Sequence, residues 1–341
     1  MADGDISRGH RPITARQLAR SLGISQSTVS RAFSPTASVS PAMRARVLQQ
    51  AEWVKYQPNV IARSLSTRRT GIVGIVMANM TNPFYPEVLE LLSRGLQEIG
   101  LRTLLFNVPP GHDVDAVLPL LLQYQVDAVV VTSATISSAM ARDWTATGRS
   151  AVLFNRTVPE ADIASVLCDN VGGARTLADH LVDSGHRRVA YAAGRPDTST
   201  NVDRERGFLE RLAERGVPLY ARAGGEEYDY ASGCRAAIAL APAGPDCIFF
   251  ANDIMALGGM DALRTTLGLH VPQDVSVVGF DDIEMAGWPT YELTTVRQPV
   301  QAMIDLTIQL VLDSLNNRGN SVVAHVVPGP LIVRKSTMTR S

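Results

Sequence analysis

The 341-residue sequence contains only three cysteines, Cys168, Cys234 and Cys247. The number is odd and no C-x-x-C spacing occurs. A disulfide framework or a cysteine-rich zinc site is therefore not expected, and each cysteine reads as a small buried hydrophobe. Long apolar runs are also missing. The stretch around Val129–Val131 falls far short of the ~20 residues that span a bilayer, so no membrane association is expected. The opening segment MADGDISRGHRP is polar and lacks the apolar core of a secretory signal, which points to the cytoplasm. Gly71-Ile-Val-Gly74 is not a G-x-G-x-x-G, and no G-x-x-x-x-G-K-[ST], G-x-S-x-G or H-E-x-x-H occurs. No catalytic residue, cofactor or metal site is expected on these grounds.

What is present is ordinary globular material: 45% hydrophobic and 19% charged residues. The length suits two to three domains at roughly 150 residues each. The net charge of −1 hides a division. Residues 1–69 hold 11 Lys/Arg against three acids, a surplus of +8, and the remainder carries −9. A small basic head on a larger acidic body suggests a polyanion as partner of the head, with a solvated basic face as the plainer reading.

Residues 1–11 lack periodicity and read as a flexible arm. Thr14 can cap a helix, with Gln17 placed to close a capping box, and Leu18, Ala19 and Leu22 mark its apolar face. Gly23 stops that helix. Ser25 starts a second one with Thr28, Val29 and Ala32, which Pro35 ends. Helix, short Gly-containing turn and helix is the spacing of a helix-turn-helix. Ser40-Pro41 opens a third helix through Met43, Val47, Leu48 and Ala51. Ile24 and Val29 are expected to pack with Leu18 and Val47. The module runs over 12–57, and 58–70 read as a short marginal helix and a polar linker. From Ile72 apolar strands alternate with helices in two successive runs, before and after Asp169. That rhythm indicates parallel sheets with crossover helices and two doubly wound subdomains. Ligands of such sheets bind beyond the carboxyl ends of the strands and between domains.

The segment ITARQLARSLGISQSTVSRAFSPTASVSPAMRARVLQQAEWVKYQPNVIARSLSTRRTGIVGIV resembles the DNA-binding head of the LacI/GalR family of bacterial transcriptional regulators. GIS-x-x-TVSR-x-F, VS-x-x-x-R-x-RV and Y-x-PN-x-x-AR-x-L stand in register. The likeness continues through NPFY (82–85), GHRRVAYAAG (185–194), Arg204 with Gly207-Phe208, FFANDIMALG (249–258), VPQDVSVVGFDD (271–282) and LTTVRQP (293–299). It covers nearly everything from about residue 13 to 335. One departure is Trp53-Val-Lys-Tyr56, where the family usually has a Leu-Gly-Tyr-like turn.

The resemblance implies an all-α helix-turn-helix head, a hinge helix, and an α/β body like a periplasmic sugar-binding protein. Its subdomains would comprise about 71–168 plus 296–325, and about 169–295 plus 326–335 of the 71–341 body. The second helix of the head would enter the major groove, with Gln26, Ser27 and Arg31 at base edges, since Gln matches adenine and Arg guanine. Thr14, Ser25, Thr28 and Ser30 suit phosphates, which fix register without reading sequence. In the hinge, Asn59, Ala62, Arg63 and Leu65 would lie at the minor groove, Leu65 as an apolar wedge between base pairs. Its plainer alternative is packing against the body's first strand. Paired hinges imply a homodimer on a palindromic double-stranded operator. No leucine heptads follow Leu331–Val333, so a tetramer built on a C-terminal coiled coil is not expected.

By the same likeness Arg204, Asn252, Asp281 and Asn155 fall at the cleft. Their acceptors and guanidinium fork suit a sugar or sugar acid. Phe84, Tyr85, Tyr228 and Trp288 offer flat faces to a ring, although each taken alone is more often a core residue. Asp282 reads as a helix cap or structural acid, and His186 as structural. Three other readings stay open at this level: a sugar-acting enzyme using Asp281 and Asp282, whose adjacency disfavours convergence on one bond; a transport solute-binding protein, disfavoured by the basic head; and a regulator whose ligand is a co-repressor, or which activates.

Overall fold

Thr14, Ser25 and Ser40 each begin a helix, because their hydroxyls accept the backbone N–H groups that a first turn leaves unpaired. In the computed structural model, which describes residues 13–33, 38–57, 69–78, 80–108, 114–132, 137–158, 162–316 and 323–340, the chain forms two compact units, Met1–Thr70 and Gly71–Ser341. The arm, Pro35 and the hinge residues Asn59, Ala62, Arg63 and Leu65 lie outside the described residues.

The first unit contains α1 (Ala15–Leu22), α2 (Gln26–Ala32) and α3 (Pro41–Trp53). The expected capping box is present: Thr14 Oγ1 accepts the Gln17 N–H at 3.3 Å, and Gln17 Oε1 accepts the Thr14 N–H at 2.8 Å. Gly23, at φ +66°, ends α1 in the left-handed conformation that glycine tolerates best. Leu18, Val29 and Val47 are buried together, and Ile24 packs against them. Two arginines of α3 close the module from outside. Arg44 donates to Ala32 O at 2.9 Å and Arg46 to Leu22 O at 3.1 Å, satisfying carbonyls at the ends of α2 and α1.

The turn over 53–56 closes α3 at a cost. Tyr56 N–H reaches Ala51 O at 2.8 Å, and the Tyr56 ring meets Phe33 edge-on at 5.6 Å. The residue in the left-handed position is Lys55, at φ +51°, where a side chain is strained.

The second unit is two six-stranded sheets. The first runs in the order β11 (Ala324–Val327), β5 (Ala164–Cys168), β4 (Ser150–Phe154), β3 (Ala128–Thr132), β1 (Ile72–Ala78), β2 (Arg102–Val108), with every neighbouring pair parallel. The second runs β12 (Leu331–Ile332), β10 (Thr294–Arg297), β9 (Ser276–Asp281), β8 (Cys247–Phe250), β6 (Val189–Ala193), β7 (Ala221–Gly224), parallel except for β10 with β12. Strands such as β3 and β6 are buried at every position. They are covered on both faces, as parallel sheets with crossover helices must be.

The chain passes between the lobes three times: after Cys168, between Arg297 and Val300, and between Val327 and Leu331. The second and third passages fall at least two residues later than 296 and 326. The sequence pattern also passes over four strands, β5, β7, β10 and β11, and the helix Val300–Leu315, which packs on the first lobe. After β2 a 3₁₀ turn, Val114–Val117, precedes the helix Leu118–Gln123, because Pro119 is tolerated only in a helix's first turn. Among the described residues no helix is long and apolar enough to cross a membrane.

His186 is a structural residue. It is fully buried, with Nδ1 3.2 Å from Asp246 Oδ1, and Asp246 Oδ2 accepts the Arg187 and Arg188 amides at 3.1 and 2.9 Å. Burial opposes ionisation of Asp246, yet the hydrogen bonds from His186 and the two amides hold its carboxyl at about 2.

Two outcomes follow for stability. Lys55→Gly should relieve the strained turn and stabilise the head by about 1 kcal/mol, read as a higher melting temperature. Asp246→Asn should cost about 2 kcal/mol at neutral pH in urea denaturation, because one carboxylate oxygen becomes a donor facing donors. The folded carboxyl lies below its unfolded value, so this stability is present above about pH 4 and lost as the pH falls toward about 2. The gap between parent and variant should close over that window.

Candidate functional site

Two regions gather polar side chains that their local folding does not consume. The first is the outer face of α2, where Gln26, Ser27, Ser30 and Arg31 are exposed and Thr28 is half-buried. Ser25 works as the N-cap, accepting the Thr28 N–H at 3.1 Å, and its hydroxyl also meets Ser27 Oγ at 2.8 Å and Thr28 Oγ1 at 2.9 Å. Arg31 Nε leans back onto Ser27 O at 3.3 Å. The exposed hydroxyls and the guanidinium thus form one continuous strip, while Val29 and Ala32 face inward. Thr14 lies at the start of α1, exposed and engaged with Gln17. Residues 13–57 carry six cations and one acid, Glu52, so a polyanion is attracted to this unit.

The second region is the cleft between the two sheets of the body. Asn82, Phe84 and Tyr85 reach it from the segment after β1, and Asn155 and Arg156 from the end of β4. From the other lobe come Thr200 and Arg204 of the helix Ser199–Glu214, Tyr228, Asn252 after β8, and Asp281 at the end of β9. Gln298 enters from the second interlobe passage. These are the carboxyl ends of parallel strands, where open α/β sheets place ligands. The space left among these side chains is about enough for one water, so the cleft is shut.

The floor of the cleft is an ion pair. Arg204 and Asp281 have 3% and 4% of their side chains exposed, with Nη2 to Oδ1 at 3.1 Å. Arg204 also donates to Asn170 Oδ1 at 2.8 Å and Ala251 O at 2.7 Å, and its guanidinium lies 3.8 Å from the centre of the Phe280 ring. Gln298 Nε2 donates to the same Asp281 oxygen at 2.7 Å. Burial pushes the Asp281 carboxyl up, against the pull of Arg204 and Gln298. Behind it Asp253 is fully buried, accepting from Thr295 at 2.6 Å and the Ile283 amide at 3.0 Å. Burial, followed by the nearby Asp281 charge, pushes Asp253 up to about 8.

Across the cleft the contacts are fewer. Arg156 Nη1 donates to Thr200 Oγ1, and the Thr157 N–H donates to Ser199 Oγ at 3.1 Å. Within the second lobe, Tyr228 OH meets Thr198 and Thr200 at 2.8 and 3.3 Å. Three buried atoms in the lining have no partner: Asn155 Oδ1, Arg156 Nε and Gln298 Oε1. Asn155 and Asp281 also hold positive φ, +57° and +133°, a strain that clusters at binding sites.

Seven of the eight residues expected at the cleft meet there. Trp288 does not line it; it follows the turn Glu284–Gly287 and is 46% exposed. Asn82, Arg156, Thr200 and Gln298 were not anticipated, although Asn82 belongs to NPFY, Gln298 to VRQP, and Arg156 adjoins Asn155. Asp282 turns away from Asp281 and accepts from Arg297 and Arg334, both at 2.6 Å, as a structural acid. Neighbouring carboxylates that diverge cannot act on one bond. Among the described residues no group of three His, Cys, Asp or Glu is placed to hold a metal.

Comparison with known proteins agrees with this geometry. Residues 14–59 match the family described as bacterial regulatory proteins, lacI family, and residues 178–337 match a periplasmic binding protein-like domain. The HTH-type transcriptional regulator CelR of Thermobifida fusca is 31% identical, over 97% of this chain and 100% of that one. A solved complex of the transcriptional regulator CelR with cellobiose is 30% identical over 96% of this chain and 100% of its own, with a TM-score of 0.71. The lac repressor dimer bound to operator and the anti-inducer ONPF, 24% identical, shares the fold over 96% of this chain and 100% of its own, with a TM-score of 0.85. The chain belongs to the LacI family of DNA-binding transcriptional regulators and not to a family of enzymes.

Proposed function

We propose that the protein is a dimeric repressor of a carbohydrate-utilisation operon. It acts in the cytoplasm on a palindromic operator and is released when a small sugar or sugar derivative binds the cleft. The observation that carries the ligand half is the cleft lining: polar side chains from both lobes, three of them with a buried atom left unpartnered. Buried polar groups are otherwise nearly always paired, with protein or with water, so these atoms favour a polar occupant of the cleft. The relative solved with cellobiose supports a carbohydrate.

In the head, Gln26, Ser27 and Arg31 read base edges, and Thr14, Ser25, Thr28 and Ser30 hold phosphates. Asn59, Ala62, Arg63 and Leu65 engage the minor groove, with Leu65 wedged between base pairs. Release requires the ligand to bind the operator-competent and operator-incompetent arrangements with different affinity. Cleft closure supplies that difference by changing the spacing of the paired hinges.

A thermal-shift screen of the full chain against monosaccharides, disaccharides, sugar acids, sugar phosphates and purines tests the ligand. A compound at 100 times its dissociation constant adds about 2.7 kcal/mol of stability. A sugar or sugar acid should shift the melting temperature and then release the operator in a mobility-shift assay. Tighter operator binding instead would make that ligand a co-repressor. Leu65→Ala should weaken specific binding far more than non-specific binding, since only the specific complex contains the wedge; equal losses would remove that role.

A further inference from the structure

The cleft lining does not balance in charge. It contains two guanidinium groups, Arg156 and Arg204, and one carboxylate, Asp281. Asp281 is committed to Arg204 at 3.1 Å. Arg156 is 95% buried, and among the described residues no carboxylate forms an ion pair with it. Asp281 and Asp197 feel its charge, but neither is in contact with it. Asp197 and Glu227 are exposed and tied to Arg195 at 2.6 and 3.2 Å. Asp253 lies behind Asp281 and is held toward its neutral form by burial.

The Arg156 guanidinium is nevertheless fixed. Nη1 donates to Thr200 Oγ1, and the group lies 5.9 Å from the centre of the Tyr228 ring. Its Nε is buried without a partner. A buried cation with no carboxylate in contact is costly, and a planar guanidinium edge matches a carboxylate bidentately, as it also does a phosphate. The other two unpartnered atoms, Asn155 Oδ1 and Gln298 Oε1, are acceptors and call for hydroxyl donors.

We infer that the effector is a polyhydroxy carboxylate, an aldonate or uronate, whose carboxylate meets Arg156 and whose hydroxyls donate to Asn155 and Gln298 once the lobes part to admit it. This rests on the carbohydrate-effector reading above and narrows it to one charge class.

Isothermal titration of the full chain with matched neutral and acidic sugars tests it. The probes are glucose with gluconate and glucuronate, galactose with galactonate and galacturonate, ribose with ribonate, and glucose 6-phosphate. At least one carboxylate should bind at least about tenfold more tightly than its neutral counterpart, the order expected of one charge-assisted hydrogen-bonded contact. Arg156→Gln should reduce that ratio to near one, and Arg156→Lys, which keeps the charge but loses the planar edge, should retain part of it. A neutral sugar bound as tightly as its acid, or acid preference surviving in Arg156→Gln, overturns the anionic effector and leaves the carbohydrate reading standing. Preference for glucose 6-phosphate over every carboxylate overturns the assignment of a carboxylate. Binding of no carboxylate probe, by protein that still holds its operator and answers a neutral sugar or disaccharide in the thermal-shift screen, overturns the inference; no response to any carbohydrate in either assay overturns the carbohydrate reading with it.

Discussion

The Arg204–Asp281 pair is the interaction on which the body's binding cleft depends. Two charges removed from water are stable only when every remaining hydrogen-bonding site nearby is matched. Here Arg204 spends its donors on Asn170, the Ala251 carbonyl and Asp281, and stacks on Phe280. Those partners sit at the ends of two strands, β8 and β9, and at the start of the helix Asn170–Asp183. Gln298 extends the network into the passage that leads back to the first lobe. The network adds little net stability, because desolvation offsets most of the attraction. What it does is fix, to within a hydrogen-bond length, where the ligand-facing edge of the second lobe lies. It also holds Asp281 in a backbone conformation that would be strained elsewhere.

The first lobe is attached to that rigid floor by much less. Across the cleft the bonds are chiefly those of Arg156 with Thr200 and of Thr157 with Ser199. Hydrogen bonds of this kind contribute about 1 kcal/mol each once their exchange with water is counted. Parting the lobes therefore sacrifices little, and the three interlobe passages let each sheet move as an intact body. A rigid floor under a loosely latched roof lets a small molecule shift the balance between open and closed arrangements.

How much of this was legible in the sequence depended on where each signal was local. Thr14 with Gln17, Gly23 and Ser40-Pro41 mark helix ends through bonds that span three or four residues, and all three appear in the head as expected. Asn155, Asn252 and Asp281 follow apolar strands, and strand ends are where doubly wound sheets bind. Trp288 was misplaced because an aromatic beyond a strand carries no sign of which way its turn faces, and this one faces solvent. The strands β7 and β11 were missed for a different reason. Both lie at sheet edges with alternating half-exposure, so their sequences Ala221–Gly224 and Ala324–Val327 lack the apolar run that marks the inner strands. Arg156 and Gln298 were invisible because each serves across a lobe boundary, and no local period reports that.

The uneven charge of the cleft explains how ligand chemistry can become a conformational bias. With the lobes apart, Arg156 is solvated and a carboxylate gains little by approaching it. With the lobes together, water is excluded and the same guanidinium is buried with no carboxylate in contact, a situation that disfavours closure. A ligand that brings the negative charge removes that penalty only in the closed arrangement, while its attraction to Arg156 is strengthened by the low local dielectric. Its affinity for the closed form therefore exceeds its affinity for the open form, and differential affinity is the whole of what an effector needs to move an equilibrium. A neutral ligand in the same space would satisfy Asn155 and Gln298 but leave the cation uncompensated, and would favour closure by correspondingly less. The residue that selects the ligand is on this account also the residue that couples it to the motion.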